Sequence, residues 1–311
     1  MLTRRIVIAG TAAGTACGVF ETPTALARPI SEQQEEFGTV SLHRERATVP
    51  VYLNEIGPLR FAVDTAANCS VVSSDLVESL GLEPLGELAM HTLIGREIVP
   101  AVRAARLRSG ALDAPNPRLA VGKRSAMAGL DGLLGTDLLA DNQLILNFQG
   151  RARTRVARSN APPRGFLDTL APQSRLVVAG ERRFGSLLMI PVRIGSARAV
   201  AIVDSGAEGT LLNHAAAREG RAVPLPSANG QNRKRIHSPT GEATLGEGMI
   251  LRSLNIAGVD ISNLPVAVGD FHTFRLWGLV DEPALLIGLD VLRLFTAVYI
   301  DLKRSEFSLR F

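Results

Sequence analysis

Residues 201–210 read Ala-Ile-Val-Asp-Ser-Gly-Ala-Glu-Gly-Thr, and this stretch decides how the rest of the chain is read. Three apolar residues run into Asp204-Ser205-Gly206, small residues follow, and Leu211-Leu212 resume the apolar pattern. The pattern predicts a strand that ends in a tight loop with one carboxylate at its tip. A carboxylate directly after so apolar a run is not a casual surface charge, because burying an unpaired charge is costly. The chain then carries a second copy: Phe61-Ala62-Val63 leads into Asp64-Thr65-Ala66-Ala67, with Val71-Val72 beyond. One isolated Asp-Ser-Gly or Asp-Thr-Ala ordinarily marks a turn or a helix cap. Two at matching positions mark a duplication.

The flanking sequence repeats in the same order. Val49-Pro50-Val51-Tyr52-Leu53 predicts a strand, Glu55-Ile56-Gly57-Pro58 a turn, and residues 59–63 the returning strand. Met189-Ile190-Pro191-Val192-Arg193-Ile194, Gly195-Ser196 and residues 199–203 match them. Residues 73–81 predict a short helix, capped by Ser73 or Ser74 and closed by Gly81. Hairpins are expected with turns near Gly95 and Gly241. Downstream, Val266-Ala267-Val268-Gly269 echoes residues 119–122, Leu286-Ile287-Gly288 echoes Leu133-Leu134-Gly135, and residues 297–302 echo 145–149. The spacing between copies grows along the chain, as it does when loops accept insertions and the core order is kept. The expected organisation is a lobe over 47–150, an Arg-, Pro- and Ser-rich linker over 151–183, and a lobe over 184–311.

Asp-Ser-Gly-Ala paired with Asp-Thr-Ala-Ala, each followed far downstream by two apolar residues and Gly, resembles the retropepsin-like aspartic proteases, of the clan that holds pepsin and the retroviral enzymes. The resemblance covers residues 47–150 and 184–311. It implies an all-β, bilobal acid-protease fold made of two β-barrel lobes with short helices, closing around an extended peptide or unfolded protein. It also implies an aspartic endopeptidase, without metal or cofactor, whose dyad is Asp64 and Asp204. Two neighbouring carboxylates cannot both ionise cheaply, so they share one proton, and one can serve as base while the other donates. By the same resemblance Thr65 and Ser205 lock the loops together, and Ala66 and Gly206 let backbone N–H groups approach the carboxylates. Leu134-Gly135 and Ile287-Gly288 pack behind the loops, and Gly95 and Gly241 sit in flaps. Ala66 stands where the family has Gly. A requirement there for positive φ or close approach would strain it by about 1 kcal/mol. That leaves an alternative reading: a protease-like peptide-binding protein with weak or lost turnover. Lobes paired within one chain, as a monomer, are expected over pairing between two chains, because the neighbouring lobe has the higher effective concentration.

Composition bounds the rest. Hydrophobic residues at 46% against 21% charged exclude a disordered chain, and 311 residues can bury a substantial core. The 29 Gly and 17 Pro among short Val, Ile and Leu runs favour an all-β protein with many turns. Aromatics at 5% argue against a base-stacking or sugar-stacking surface. The net charge of +4 is modest, and Arg151, Arg153, Arg155, Arg158 and Arg233-Lys234-Arg235 read as a solvated linker and loop, so no nucleic acid is expected. The five His show no metal-ligand spacing.

At the N-terminus, Arg4-Arg5, an apolar and small-residue stretch from Ile6 to Phe20, and Ala25-Leu26-Ala27 follow the order of a secretory signal peptide over 1–27. Thr3-Arg4-Arg5 resembles a twin-arginine export signal. The apolar run is short and interrupted, so no stable membrane anchor is expected, and the protein is placed in the periplasm or outside the cell. A polar leader over 28–46 follows. Removal of 1–27 leaves Cys69 as the only cysteine, expected to act as a small buried apolar residue.

Overall fold

The computed structural model describes residues 4–7, 46–149, 153–159, 175–226, 232–237 and 242–311. The fold is all-β and bilobal, with only short helices.

Each lobe is organised by the same crossing of four strands. In the N-terminal lobe, Ile56–Val63 runs parallel to Gly132–Leu134, with Val63 opposite Leu134. Gly132–Leu134 in turn pairs antiparallel with Val71–Ser73, which lies parallel to Arg118–Gly122. In the C-terminal lobe, Ala197–Val203 runs parallel to Ala284–Ile287, with Val203 opposite Ile287. Ala284–Ile287 pairs antiparallel with Leu211–Leu212, which lies parallel to Val259–Val268. Strands covered on both faces lose the apolar–polar alternation. That is why Phe61-Ala62-Val63 and Ala201-Ile202-Val203 are uninterrupted apolar runs, and all six are buried. Each fully buried Val or Ile contributes roughly 1.5–3 kcal/mol relative to an exposed one. The two aspartates follow directly on these runs, so firmly anchored strand ends carry them.

A third sheet joins the lobes. Asn142–Asn147 pairs antiparallel with Ala297–Asp301, so that Gln143 faces Asp301 and Asn147 faces Ala297. Arg153–Arg158 and Glu306–Arg310 extend it on either side, and Arg175–Ala179 closes it. The segment expected as a linker over 151–183 is therefore ordered at both ends. Arg153–Arg158 and Arg175–Ala179 are strands, and Glu181–Arg183 pairs with Leu187–Ile194. Val156 and Val178 explain this, because each is buried and holds its strand to the core.

Two local expectations change. The first turn falls on Asn54 and Glu55, both at positive φ (49° and 66°), and the strand resumes at Ile56. A two-residue hairpin loop of this hand matches the twist of its strands. Residues 73–81 form only a 3-10 turn over Ser74–Leu76, without a side-chain cap at Ser73, before the chain turns at Gly81 (φ 59°). Residues 28–45, the interior of 151–183 and Gly241 lie outside the described residues. So does 1–27 except for the strand Arg4–Val7, which lies parallel to Val259–Ser262.

Candidate active site

The two aspartate loops meet where the lobes meet, and a crosswise set of hydrogen bonds holds them. Thr65 Oγ1 donates to the Val203 carbonyl (2.7 Å), and Ser205 Oγ donates to the Val63 carbonyl (2.7 Å). In return the Ser205 N–H donates to Thr65 Oγ1 (3.0 Å), and the Thr65 N–H to Ser205 Oγ (3.3 Å). All of these groups are buried. Each hydroxyl thus satisfies its own lone pairs and proton with the backbone of the opposite lobe, which a Val or Ala could not do.

The carboxylates are fixed in the same way as each other. Asp64 Oδ1 accepts from the N–H groups of Ala66 (3.0 Å) and Ala67 (2.9 Å). Asp204 Oδ1 accepts from Gly206 (2.7 Å) and Ala207 (3.1 Å). The Asp64 and Asp204 side chains also hydrogen-bond one another. Burial is the main force raising both carboxyls above their ordinary value, since it penalises the charged form. For Asp64 the Ala66 N–H, the Arg46 charge and the Ala67 N–H pull back. For Asp204 the Asp64 charge adds to burial and holds the carboxyl well above that value. The pair therefore favours holding one proton between its two members.

Glycine at 206 is a matter of space. A Cβ there would overlap Cγ and Oδ2 of Asp64. Ala66 has no such difficulty: its φ is not positive, and it packs on the apolar cluster of Leu211, Phe274 and Trp277. The strain expected at Ala66 is absent.

Behind the loops the sequence reading found Leu134-Gly135 and Ile287-Gly288 but missed their partners. Asp137 Oδ1 accepts from Ser70 Oγ (2.7 Å) and Oδ2 from the Ser70 N–H (3.0 Å). Asp290 does the same for Thr210, at 2.8 Å and 2.9 Å. Ser70 and Thr210 in turn accept from the N–H groups of Gly135 (2.9 Å) and Gly288 (3.3 Å). Each loop is thereby tied to the strand end behind it. The signal was present, as Gly-Thr-Asp and Gly-Leu-Asp at matching positions of the two copies.

The cleft above the dyad has a volume of about 970 Å³. Met90, His91, Leu93 and Leu133 line it from the N-terminal lobe, and Leu211, Trp277, Leu286 and the strand Arg233–His237 from the other. Glu83–His91 and Arg96–Arg103 form the hairpin expected as a flap, with Gly95 in its tip. Thr92 Oγ1 accepts from the N–H groups of Ile94 and Gly95 there (3.2 and 3.3 Å). The tip rests on the opposite lobe: the His272 N–H donates to the Leu93 carbonyl (2.9 Å), and the His91 and His272 rings stack with centroids 5.4 Å apart. Sequence spacing could not show that pair, because the two residues come from different lobes. Arg233–His237 and Ala243–Ile256 form the second hairpin, whose expected turn at Gly241 is outside the described residues. Cys69 also lines the cleft. Burial, with the Asp137 charge, pushes its thiol up to about 11, so it stays protonated at neutral pH and is no nucleophile. Among the described residues, no three His, Cys, Asp or Glu side chains converge to hold a metal ion.

No curated protein matches the chain. The sequence profile of a family described as aspartyl protease matches residues 49–138 and 190–291, together more than half of the chain and each including one aspartate loop. With two matched regions on two lobes of one topology, the chain belongs to the aspartyl protease family.

Proposed function

We propose that the protein is an aspartic endopeptidase in which Asp64 and Asp204 hydrolyse peptide bonds, both lobes being supplied by one chain. The observation that carries this reading is the crosswise Thr65 and Ser205 interlock, which holds a buried and a half-buried carboxylate in contact at the floor of a cleft. In this reading Asp64, on which the Arg46 charge acts, is the ionised member and Asp204 holds the shared proton. An extended peptide lies under the flaps, its backbone bonded as an added strand. Asp64 takes a proton from a water molecule as the water oxygen attacks the scissile carbonyl carbon. Asp204 gives its proton to the carbonyl oxygen, producing a neutral gem-diol. Collapse of the diol breaks the C–N bond: the proton on Asp64 passes to the leaving nitrogen, and a diol proton returns to Asp204. Proton transfer by a positioned carboxyl is worth about 10²–10⁴-fold in rate. Export through a signal peptide over 1–27 is part of the proposal, supported by the order of charged, apolar and small residues.

The test is digestion of casein between about pH 3 and 7, the range in which such dyads titrate. Wild type should cut, and Asp64→Asn and Asp204→Asn should each lose about 10³-fold or more. Undiminished cleavage by either variant would remove the dyad. Peptide binding by wild type without cleavage at any pH would favour the binding-protein reading instead.

A further inference from the structure

The sequence reading treated Arg233-Lys234-Arg235 as a solvated loop, but the fold places it otherwise. These residues belong to the strand Arg233–His237, whose burial alternates: Arg233, Arg235 and His237 are exposed, while Lys234 and Ile236 turn inward. The strand forms part of the cleft wall. On its outer face Arg233 stands opposite Glu247, so opposite charges face each other across the hairpin. On the inner face Lys234 stands opposite Gly246, which offers nothing. Lys234 makes no ion pair among the described residues. The Asp290 carboxylate acts on it through space, yet both Asp290 oxygens are already engaged by Thr210. Burial lowers the Lys234 ammonium from its ordinary value, as it does for a cation without a counter-charge.

The rest of the cleft is short of negative charge as well. Apart from the dyad, Glu208 is the one acidic residue among those lining it, against Arg46 and the inward Lys234, with the exposed Arg233 and Arg235 also bordering it. Arg46 is half-buried, and its Nε is buried without a hydrogen-bond partner. Thr273, more than nine-tenths buried in the C-terminal lobe, also lines the cleft and has an Oγ1 without one. Buried polar groups left unmatched in the free protein, these and the Asn232 Oδ1 acceptor beside the strand, are the groups that a ligand must satisfy. A neutral or basic peptide side chain would leave Lys234 desolvated and unpaired; a carboxylate would pair it. From the N-terminal hairpin the lining residues are Met90, His91, Thr92 and Leu93, with no lysine or arginine among them.

We propose that Lys234 is a specificity-determining residue that selects peptides bearing a Glu or Asp side chain in the subsite beneath Arg233–His237, with Arg46 adding to the cationic field from the opposite lobe. This rests on the protease reading of the cleft and supplies its substrate class.

The test separates binding from turnover. A neutral decapeptide is scanned with Glu, Gln or Lys at one position at a time, and affinity for the Asp204→Asn protein is read by fluorescence anisotropy at pH 6 and low salt. At one position Glu should bind about tenfold more tightly than Gln, the scale of one charge-assisted contact, and Lys more weakly than Gln. Lys234→Met should bring the Glu-to-Gln ratio at that position close to one. Lys234→Glu should invert the order of Glu and Lys, and Lys234→Arg should keep the original preference. Thermal melts of the variants establish that they fold. Equal affinity for Glu and Gln at every position overturns the proposal, as does a preference that survives Lys234→Glu. Wild-type digestion of the same peptides tests the other claim. Selective binding without any cleavage would sink the protease reading and leave the selectivity standing; cleavage of all peptides at one rate would do the reverse.

Discussion

The two aspartate loops are built alike to within a few tenths of an ångström in their hydrogen bonds, yet they differ at the third position. Both present Oδ1 to two successive N–H groups, and both send a hydroxyl to the opposite backbone. In the C-terminal loop the backbone at Gly206 presses on the Asp64 carboxylate so closely that a methyl group would overlap it. In the N-terminal loop a methyl group is present at Ala66 and packs on apolar side chains. Asp204 is 5% exposed, while Asp64 is half-buried. Sequence symmetry of the two loops thus does not impose equal steric demands. One loop carries the close approach, and the other is free to carry a side chain.

The sharpest way to break this comparison is to exchange the third residues. Gly206→Ala should push Asp64 out of place and lower kcat/KM for peptide cleavage by about 100-fold, the usual consequence of misplacing a reacting group by an ångström. Ala66→Gly should change the same constant by no more than a few-fold. Equal losses from the two would show that the asymmetry is not real.

The interlock comes next. Thr65→Val and Ser205→Ala each leave buried carbonyl and N–H groups of the opposite lobe unsatisfied, at a cost of about 1–3 kcal/mol in urea denaturation. The two changes disrupt one network, so the double variant should lose less than the sum of the single losses. Strict additivity would mean that the two hydroxyls act independently.

The bracing carboxylates set a smaller comparison. Asp137→Asn and Asp290→Asn each put an amide donor against the two donors of Ser70 or Thr210. Each should cost about 1–2 kcal/mol, equally in the two lobes. A loss in only one would mark the other brace as redundant.

The smallest effect is one of pH. The Asp204 carboxyl is raised in the folded protein, so the fold favours its protonated form. Well below the unfolded value both states are protonated and the group has no effect on stability. As pH rises through the raised value, the folded protein must ionise a buried carboxyl and loses stability. Asp204→Asn escapes that cost. Its Tm should exceed wild type by a few degrees at pH 7, and the difference should vanish near pH 3. A constant difference across pH would mean that charge is not the cause.

The parts of the site that were legible in the sequence are those made by short segments. Asp64 and Asp204 announce themselves because an apolar run ends in a carboxylate, twice. Asp137 and Asp290 were equally available as a repeated Gly-x-Asp but were passed over, since an acidic residue at a helix start reads as a cap. Lys234 could not be read. Charges fill both faces of Arg233-Lys234-Arg235, so the alternation that normally tells inside from outside is missing. The N-terminal end of 151–183 was obscured in the same manner, because the arginines of Arg153–Arg158 hide the single valine that anchors that strand, Val156.

By itself, then, the amino-acid order determined the duplication, the all-β lobes and the two aspartate loops, because these follow from local periodicity and from residues a few positions apart. The tertiary structure alone decided which third residue must be glycine, which cation turns into the cleft, and that His91 meets His272. Those outcomes depend on contacts between segments up to 181 residues apart in the chain. Close packing, rather than local preference, sets them.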